Sequence, residues 1–284
     1  MIGAAIALAL FAAALHGTWN VLIKVSGDPL VTFRRATIAS GLFATVVVMP
    51  AWLWLGRPGF SLAALGFCFA SSIFETTYLW LLSTAYRRGD LSVVYPIARG
   101  SAPLIAVVVG LVVIGERLET VQLVGVGLLL LGILTVTMSQ ARGRATVPAL
   151  LTGVAIATYT SLDRVGVRLS TPLMYGWLLF ALMAIELPLS IWIAARFRAP
   201  VAAGVAAPPT WRRAVVIGAF IWTGYLLVLW ALSLAPLAVV APVRETALVA
   251  VAVWGVWKLR ERSGAALKLS GAVATLAGVA LLAA

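Results

Sequence analysis

The chain has 284 residues, of which 63% are hydrophobic and 11% charged, with a formal net charge of +12. Soluble domains average about 45–50% apolar and about 25% charged residues, so the composition excludes a soluble globular protein and specifies an integral membrane protein. The basic excess then belongs to loops that hold the cytoplasmic ends of spans and does not point to nucleic acid, and a single cysteine (Cys68) and a single histidine (His16) exclude an intrachain disulfide and a multi-histidine metal site.

Ten apolar runs follow one another at about 2–23, 31–55, 62–85, 91–114, 119–139, 147–168, 172–195, 213–234, 238–257 and 264–283. A spanning helix needs roughly 20 apolar residues, whereas barrel strands are about 10 residues of alternating polarity, so the runs predict an all-α membrane protein. The first run lacks a basic leader and continues past residue 15, which marks a span rather than a cleaved signal peptide. Lys and Arg are distributed unevenly. The loops after odd-numbered spans hold most of them, from Lys24 and Arg87 to Arg213 and Arg262, whereas those after even-numbered spans hold Arg57, Arg117, Arg164 and Arg168. The positive-inside rule then leaves both termini outside.

Within the spans, polar residues are few and placed. In span 1, His16, Trp19 and Asn20 share one helical face. Span 3 carries Glu75 and Tyr78, and an intramembrane carboxylate is a candidate for substrate contact or proton coupling. Span 4 contains Tyr95-Pro96-Ile97-Ala98-Arg99-Gly100-Ser101-Ala102-Pro103. Proline removes a backbone donor and kinks a helix, so Pro96, Gly100 and Pro103 predict a hinge or a local opening of backbone, with Arg99 directed into a cavity. Span 6 offers Tyr159 and Asp163, and span 8 Trp222 and Tyr225. Span 9 repeats the interrupted pattern as Pro242-Val243-Arg244-Glu245. Neighbours one apart do not face each other on a helix, so Arg244 and Glu245 are expected to point apart. Glu186, in span 7, reads as packing. Glycines seven apart, Gly125 and Gly132 in span 5 and Gly271 and Gly278 in span 10, predict close helix packing, with a weak dimer contact as the alternative.

The two halves resemble each other at an offset of about 143–146. Pro29 matches Pro172, Leu91 to Pro96 matches Leu237 to Pro242, Arg99 matches Arg244, Glu116-Arg117 matches Glu261-Arg262, and Gly125 and Gly132 match Gly271 and Gly278. Five spans is an odd number, so the second copy enters the membrane from the opposite side. The sequence therefore predicts two inverted five-helix repeats, 1–140 and 147–284, joined by a linker at 141–146, around a central cavity. At 1.5 Å per residue, Arg99 and Arg244 each lie roughly 10–12 Å deep from opposite faces, near the midplane where inverted-repeat transporters bind substrate.

The HGTWNVLIK segment from His16 to Lys24, the YPIARGSAP segment and the Gly-Glu-Arg turn after span 4 resemble the drug/metabolite transporter superfamily, specifically its ten-helix EamA-type members and their amino-acid exporter branch. The resemblance implies a bacterial-type inner membrane protein that moves amino acids, aromatic ones included, or similar small metabolites by alternating access. It also implies a cavity lined by spans 1, 3, 4, 6, 8 and 9, with spans 5 and 10 peripheral.

In that scheme Arg99 and Arg244 bind a carboxylate, Glu75 and Glu245 face an ammonium group, and the aromatics accept a side chain. The expected partners are the small-molecule substrate, the lipid bilayer and candidate coupling protons, with the chain a monomer or a weak dimer. No cofactor is expected, since no Gly-rich sequence ends in Gly-Lys-Ser/Thr. The alternatives are a flippase or exporter of lipid-linked, sugar-type or drug substrates and, less in keeping with so few catalytic residue types, a membrane-embedded enzyme.

Overall fold

A computed structural model describes residues 1–24, 26–57, 59–88, 91–138, 146–197, 209–247, 249 and 265–283, and every regular element among them is helical. The helices are α1 (Ile2–Lys24), α2 (Pro29–Trp54), α3 (Leu62–Arg88), α4 (Leu91–Val108), α5 (Thr120–Met138), α6 (Thr146–Gly166), α7 (Pro172–Phe197), α8 (Trp211–Leu234), α9 (Leu237–Arg244) and α10 (Ala265–Ala283). They follow the apolar runs closely. Of the run 238–257, residue 248 and the part from 250 onward lie outside the described residues, as does 141–145 of the linker.

Helix starts and stops follow local chemistry. Asp28 caps α2 by accepting from the Val31 N–H at 3.0 Å, with Pro29 in the first turn, where a missing donor costs nothing. Thr210 caps α8 through the Arg213 N–H. After α4 comes one π-helical turn, Val109–Val113, and then Gly115 at φ +74°, a left-handed conformation that glycine adopts without steric cost.

Among the described residues seven helices are long and apolar enough to cross a membrane: α1, α2, α3, α5, α7, α8 and α10. The other three, α4, α6 and α9, carry the buried charges Arg99, Asp163, Arg164 and Arg244. Large apolar side chains such as Leu42, Val46, Val112, Leu131, Val273 and Leu276 are more than half exposed, as lipid-facing positions should be.

The main helix pairs join early helices to late ones. α1 packs on α8, α3 on α6, α2 on α7 and α8, α3 on α7, α4 on α6 and α9, and α5 on α10. In the last pair a Cβ on Gly125 would lie 3.0 Å from the Gly278 carbonyl oxygen, and one on Gly271 would lie 2.8 Å from the Gly132 carbonyl oxygen. The pairing of 125 with 278 and 132 with 271 makes the two helices antiparallel. The four glycines are therefore an intramolecular seam, with α5 and α10 outside both cavities described below. Glu186, on α7, accepts from Ser72 Oγ (2.7 Å) and Thr76 Oγ1 (3.1 Å) of α3.

The expected opening of backbone over Tyr95 to Pro103 is not there: α4 is continuously helical from Leu91 to Val108. Proline forfeits one hydrogen bond, and neighbouring groups in a packed membrane helix satisfy the carbonyl it frees. Gly100 serves close approach: a Cβ there would meet Thr137 Cγ2 of α5 at 2.9 Å. The irregular backbone lies instead in the π turn after α4 and at the end of α9.

Candidate functional site

The site is organised by charges that come from separate halves of the chain. Arg99, on α4, donates from Nη1 to Glu245 Oε1 at 2.7 Å, both side chains no more than 5% exposed. Its Nη2 lies 3.1 Å from His16 Nδ1 on α1. A guanidinium has only donors, so Nδ1 is the acceptor and the ring proton sits on Nε2.

Arg244 donates to the Tyr159 hydroxyl at 3.0 Å and lies over the Tyr159 and Tyr225 rings, 5.9 and 5.5 Å from their centroids. Its Nε is 3.8 Å from the same Glu245 oxygen that Arg99 binds. Arg244 and Glu245 thus point into one cluster, contrary to the expectation that adjacent residues diverge. The rule for helical neighbours lapses because α9 ends at Arg244, and Glu245 follows as its cap.

A second polar node lies on α6. Asp163 is fully buried and accepts from the Tyr175 hydroxyl at 2.9 Å through Oδ1 and from the Tyr225 hydroxyl through Oδ2. These bonds fix the Tyr225 ring. Tyr225 makes edge contacts with Tyr159 and Phe180, both at 6.0 Å, and Tyr159 makes one with Tyr78 at 5.8 Å. His16 packs edge-on against Trp19 at 4.3 Å.

Several of these groups wall a cavity with about 600 Å³ of atom-free space, open solvent included. Of the sequence candidates, His16, Trp19, Glu75, Tyr78, Tyr159, Tyr225 and Arg244 line it. Two of them present unmet polar atoms: Glu75 Oε1 and His16 Nε2 are buried with no hydrogen-bond partner among the described residues. The cavity wall therefore holds an acceptor on Glu75, a donor on His16 and a guanidinium on Arg244, amid aromatic rings.

The remaining candidates lie elsewhere. Arg99 and Glu245 form an ion pair and neither lines this cavity; Arg99 is instead turned to Glu245 and His16. Asp163 is behind Tyr225. Asn20 Nδ2 turns back to the His16 carbonyl at 2.9 Å. Trp222 packs edge-on against Phe43 at 5.4 Å and does not line the cavity. Pro242 is buried within α9. Tyr95 and Pro96 belong to the start of α4, and their side chains lie outside the described residues. The expected lining helices also need correction. α2 (Phe33, Thr37) and α7 (Phe180, Met183) line the cavity and α4 does not, because α4 faces a second, smaller cavity of about 210 Å³ on the other side of Arg244 and Glu245.

A family model, the EamA-like transporter family, matches residues 3–138. The chain carries an EamA-like transporter domain. That domain contains α1 to α5 and supplies His16, Trp19, Glu75, Tyr78 and Arg99, while Tyr159, Asp163, Tyr225, Arg244 and Glu245 lie beyond it. The matched family is one of transporters, and the EamA-like domain together with the seven apolar helices makes this a multi-pass membrane protein. One solved structure, described only as the crystal structure of a protein, is 16% identical and superposes with a TM-score of 0.69 over 98% of this chain and 95% of its own. At that identity the likeness concerns the fold, which extends beyond the EamA-like domain to the second half. No curated protein matches the chain.

Sequence reasoning missed Glu116 and Arg164. Arg164 looked like a loop charge at a span end, yet its side chain is 7% exposed and its Nε lies 2.8 Å from Glu116 Oε1. Its place one residue after the intramembrane Asp163 was the available signal. Tyr175 was also missed, since nothing in its apolar surroundings shows that its hydroxyl meets Asp163.

Proposed function

We propose that the protein is an alternating-access exporter of amino acids, aromatic ones included, or of similar small zwitterionic metabolites. The observation that carries this is the composition of the larger cavity: Glu75 Oε1 unpartnered, the Arg244 guanidinium and the His16 Nε2–H in the same wall, and Tyr78, Tyr159, Tyr225 and Trp19 around them. An α-amino acid offers an ammonium group to the first, a carboxylate to the second and third, and an apolar side chain to the rings.

The chain works as two inverted five-helix repeats, 1–140 and 147–284, with 141–146 between them. Three observations support this. The family model stops at residue 138, the end of α5. The packing is unchanged in kind when each helix is exchanged for the one five places later: α1 on α8 becomes α6 on α3, and α2 on α8 becomes α7 on α3, while α4 on α9 and α5 on α10 map to themselves. The seam pairs 125 with 278 and 132 with 271, as a two-fold axis relating 125 to 271 and 132 to 278 requires.

Glu75 is also the candidate proton carrier. Pro96, Gly100, Pro103 and Pro242 remain the proposed flexing points, and Pro96→Ala is expected to impair transport more than folding. Both termini are placed outside an inner membrane by the basic loops. Burial of Arg164 removes one charge from the sparse side and Lys268, also buried, one from the rich side, so the bias stands.

The test is flux of labelled amino acids in proteoliposomes, with Glu75→Gln and Arg244→Ala as variants. Uptake or efflux that is saturable and lost in both variants supports the reading. No flux of any amino acid overturns the substrate class.

A further inference from the structure

The smaller cavity and the residues at either end of it form a connected series. It lies between Pro103 and Ala106 on α4, Ala157 and Thr160 on α6, and Ala241 on α9. At one end stand Arg244 and Glu245, with Glu245 bound to Arg99. Glu116 does not line it but lies further along, at the start of α9. Its Oε1 accepts from the Leu237 N–H at 2.7 Å and its Oε2 from the Ala238 N–H at 3.0 Å, which satisfies two free donors in the first turn of α9. Arg164 binds the same carboxylate and donates from Nη1 to the Leu232 carbonyl at the end of α8 at 2.7 Å. One carboxylate following α4 thus ties together α6, α8 and α9.

The order along the two helices is the same. On α4 the chain passes Arg99, then Pro103 and Ala106, then the turn to Glu116. On α9 it passes Leu237 beside Glu116, then Ala241, then Glu245 beside Arg99. The two helices are therefore antiparallel, with the Arg99–Glu245 pair at one end of the cavity and, further along in the other direction, Glu116 with Arg164 at the start of α9.

We propose that the smaller cavity is the closed half of the substrate path, and that Glu116 is its outer latch in series with the Arg99–Glu245 inner gate. Passage from the larger cavity requires Glu245 to leave Arg99 and then α9 to leave Glu116. α9 runs from Leu237 to Arg244 with Glu245 as its cap, so the two gates bear on its two ends. The proposal rests on the alternating-access reading above.

Its test needs no substrate, so its failure and that of the substrate assignment are separate results. Ala106→Cys places a thiol in the smaller cavity, and the native Cys68, buried on α3 against the Tyr175 carbonyl, reports unfolding. The protein in lipid nanodiscs is exposed to a hydrophilic methanethiosulfonate. With the latch intact, position 106 should label slowly. In Glu116→Gln it should label at least tenfold faster while Cys68 stays unlabelled. If Cys68 also labels, the variant has unfolded, and Arg164→Gln, which leaves the α9 cap in place, decides the matter by the same selectivity. Rapid labelling at 106 with the latch intact, or no acceleration in the folded variants, overturns the proposal.

Discussion

Arg99 and Glu245, 146 positions apart, form a 2.7 Å ion pair in which neither side chain is more than 5% exposed. The same carboxylate oxygen lies 3.8 Å from Arg244 Nε, so one acid faces two guanidinium groups. Removing one partner of a buried pair strands the other and costs about 3–5 kcal/mol. Glu245→Gln removes the negative charge that both guanidinium groups face, whereas Arg99→Met removes one of two cations and leaves Arg244 facing the acid. Unfolding followed in detergent should therefore show the larger loss for Glu245→Gln. Equal losses would mean that Arg244 draws nothing from Glu245.

Glu75 has a different role. Its Oε1 makes no hydrogen bond among the described residues, so its carboxylate is available to a ligand. Glu75→Gln should leave stability within about 1 kcal/mol, because neutralising a buried acid relieves desolvation as much as it removes contacts. The stabilisation by added amino acid, measured as a thermal shift, should fall by about 1.4 kcal/mol or more, corresponding to at least a tenfold loss of affinity. A variant that binds as well as the parent would remove Glu75 from the site.

Tyr175 and Tyr225 share Asp163, but only Tyr225 lines the cavity. A hydrogen bond to a charged group contributes about 1.5–3 kcal/mol. Tyr175→Phe and Tyr225→Phe should each lower stability by about that amount, and double-mutant cycles with Asp163→Asn should recover the coupling. Ligand affinity should change in Tyr225→Phe and stay unchanged in Tyr175→Phe. Equal effects on binding would show that Asp163, rather than the Tyr225 ring, governs the cavity.

The α5–α10 seam predicts a contrast within one helix. Gly132 lies against the Gly271 backbone, whereas a Cβ on Gly127 would have nothing within 4 Å. Gly132→Val should destabilise by about 1–3 kcal/mol through overpacking, and Gly127→Val should be close to neutral, both read from melting curves. Neither should alter ligand affinity, since α5 lines neither cavity.

The helices were legible because each is a local property: a run of apolar residues as long as a bilayer is thick, ended by residues such as Asp28-Pro29 and Gly115 whose backbone preferences are their own. The glycines at 125, 132, 271 and 278 were legible for the same reason, since their spacing on one helix face needs no knowledge of the partner. Intramembrane charge stood out against its apolar surroundings, which is why Arg99, Asp163, Arg244 and Glu245 could be named in advance.

What each of those charges touches was decided only by the tertiary structure. Arg99 was expected to open into a cavity, and the structure gives it to Glu245 and His16. Glu116 and Arg164 looked like turn and loop residues until α9 and α6 were brought beside them. Composition and periodicity determine the face a residue occupies on its own helix. Pairing energy in a low-dielectric interior depends on separations of about 3 Å between groups far apart in the chain, and those distances exist only once the helices have packed. The sequence by itself thus determined a multi-helix membrane protein and the identity of its costly buried charges. The packing of early helices on late ones decided which charges are spent on each other and which, as at Glu75 Oε1, remain for a ligand.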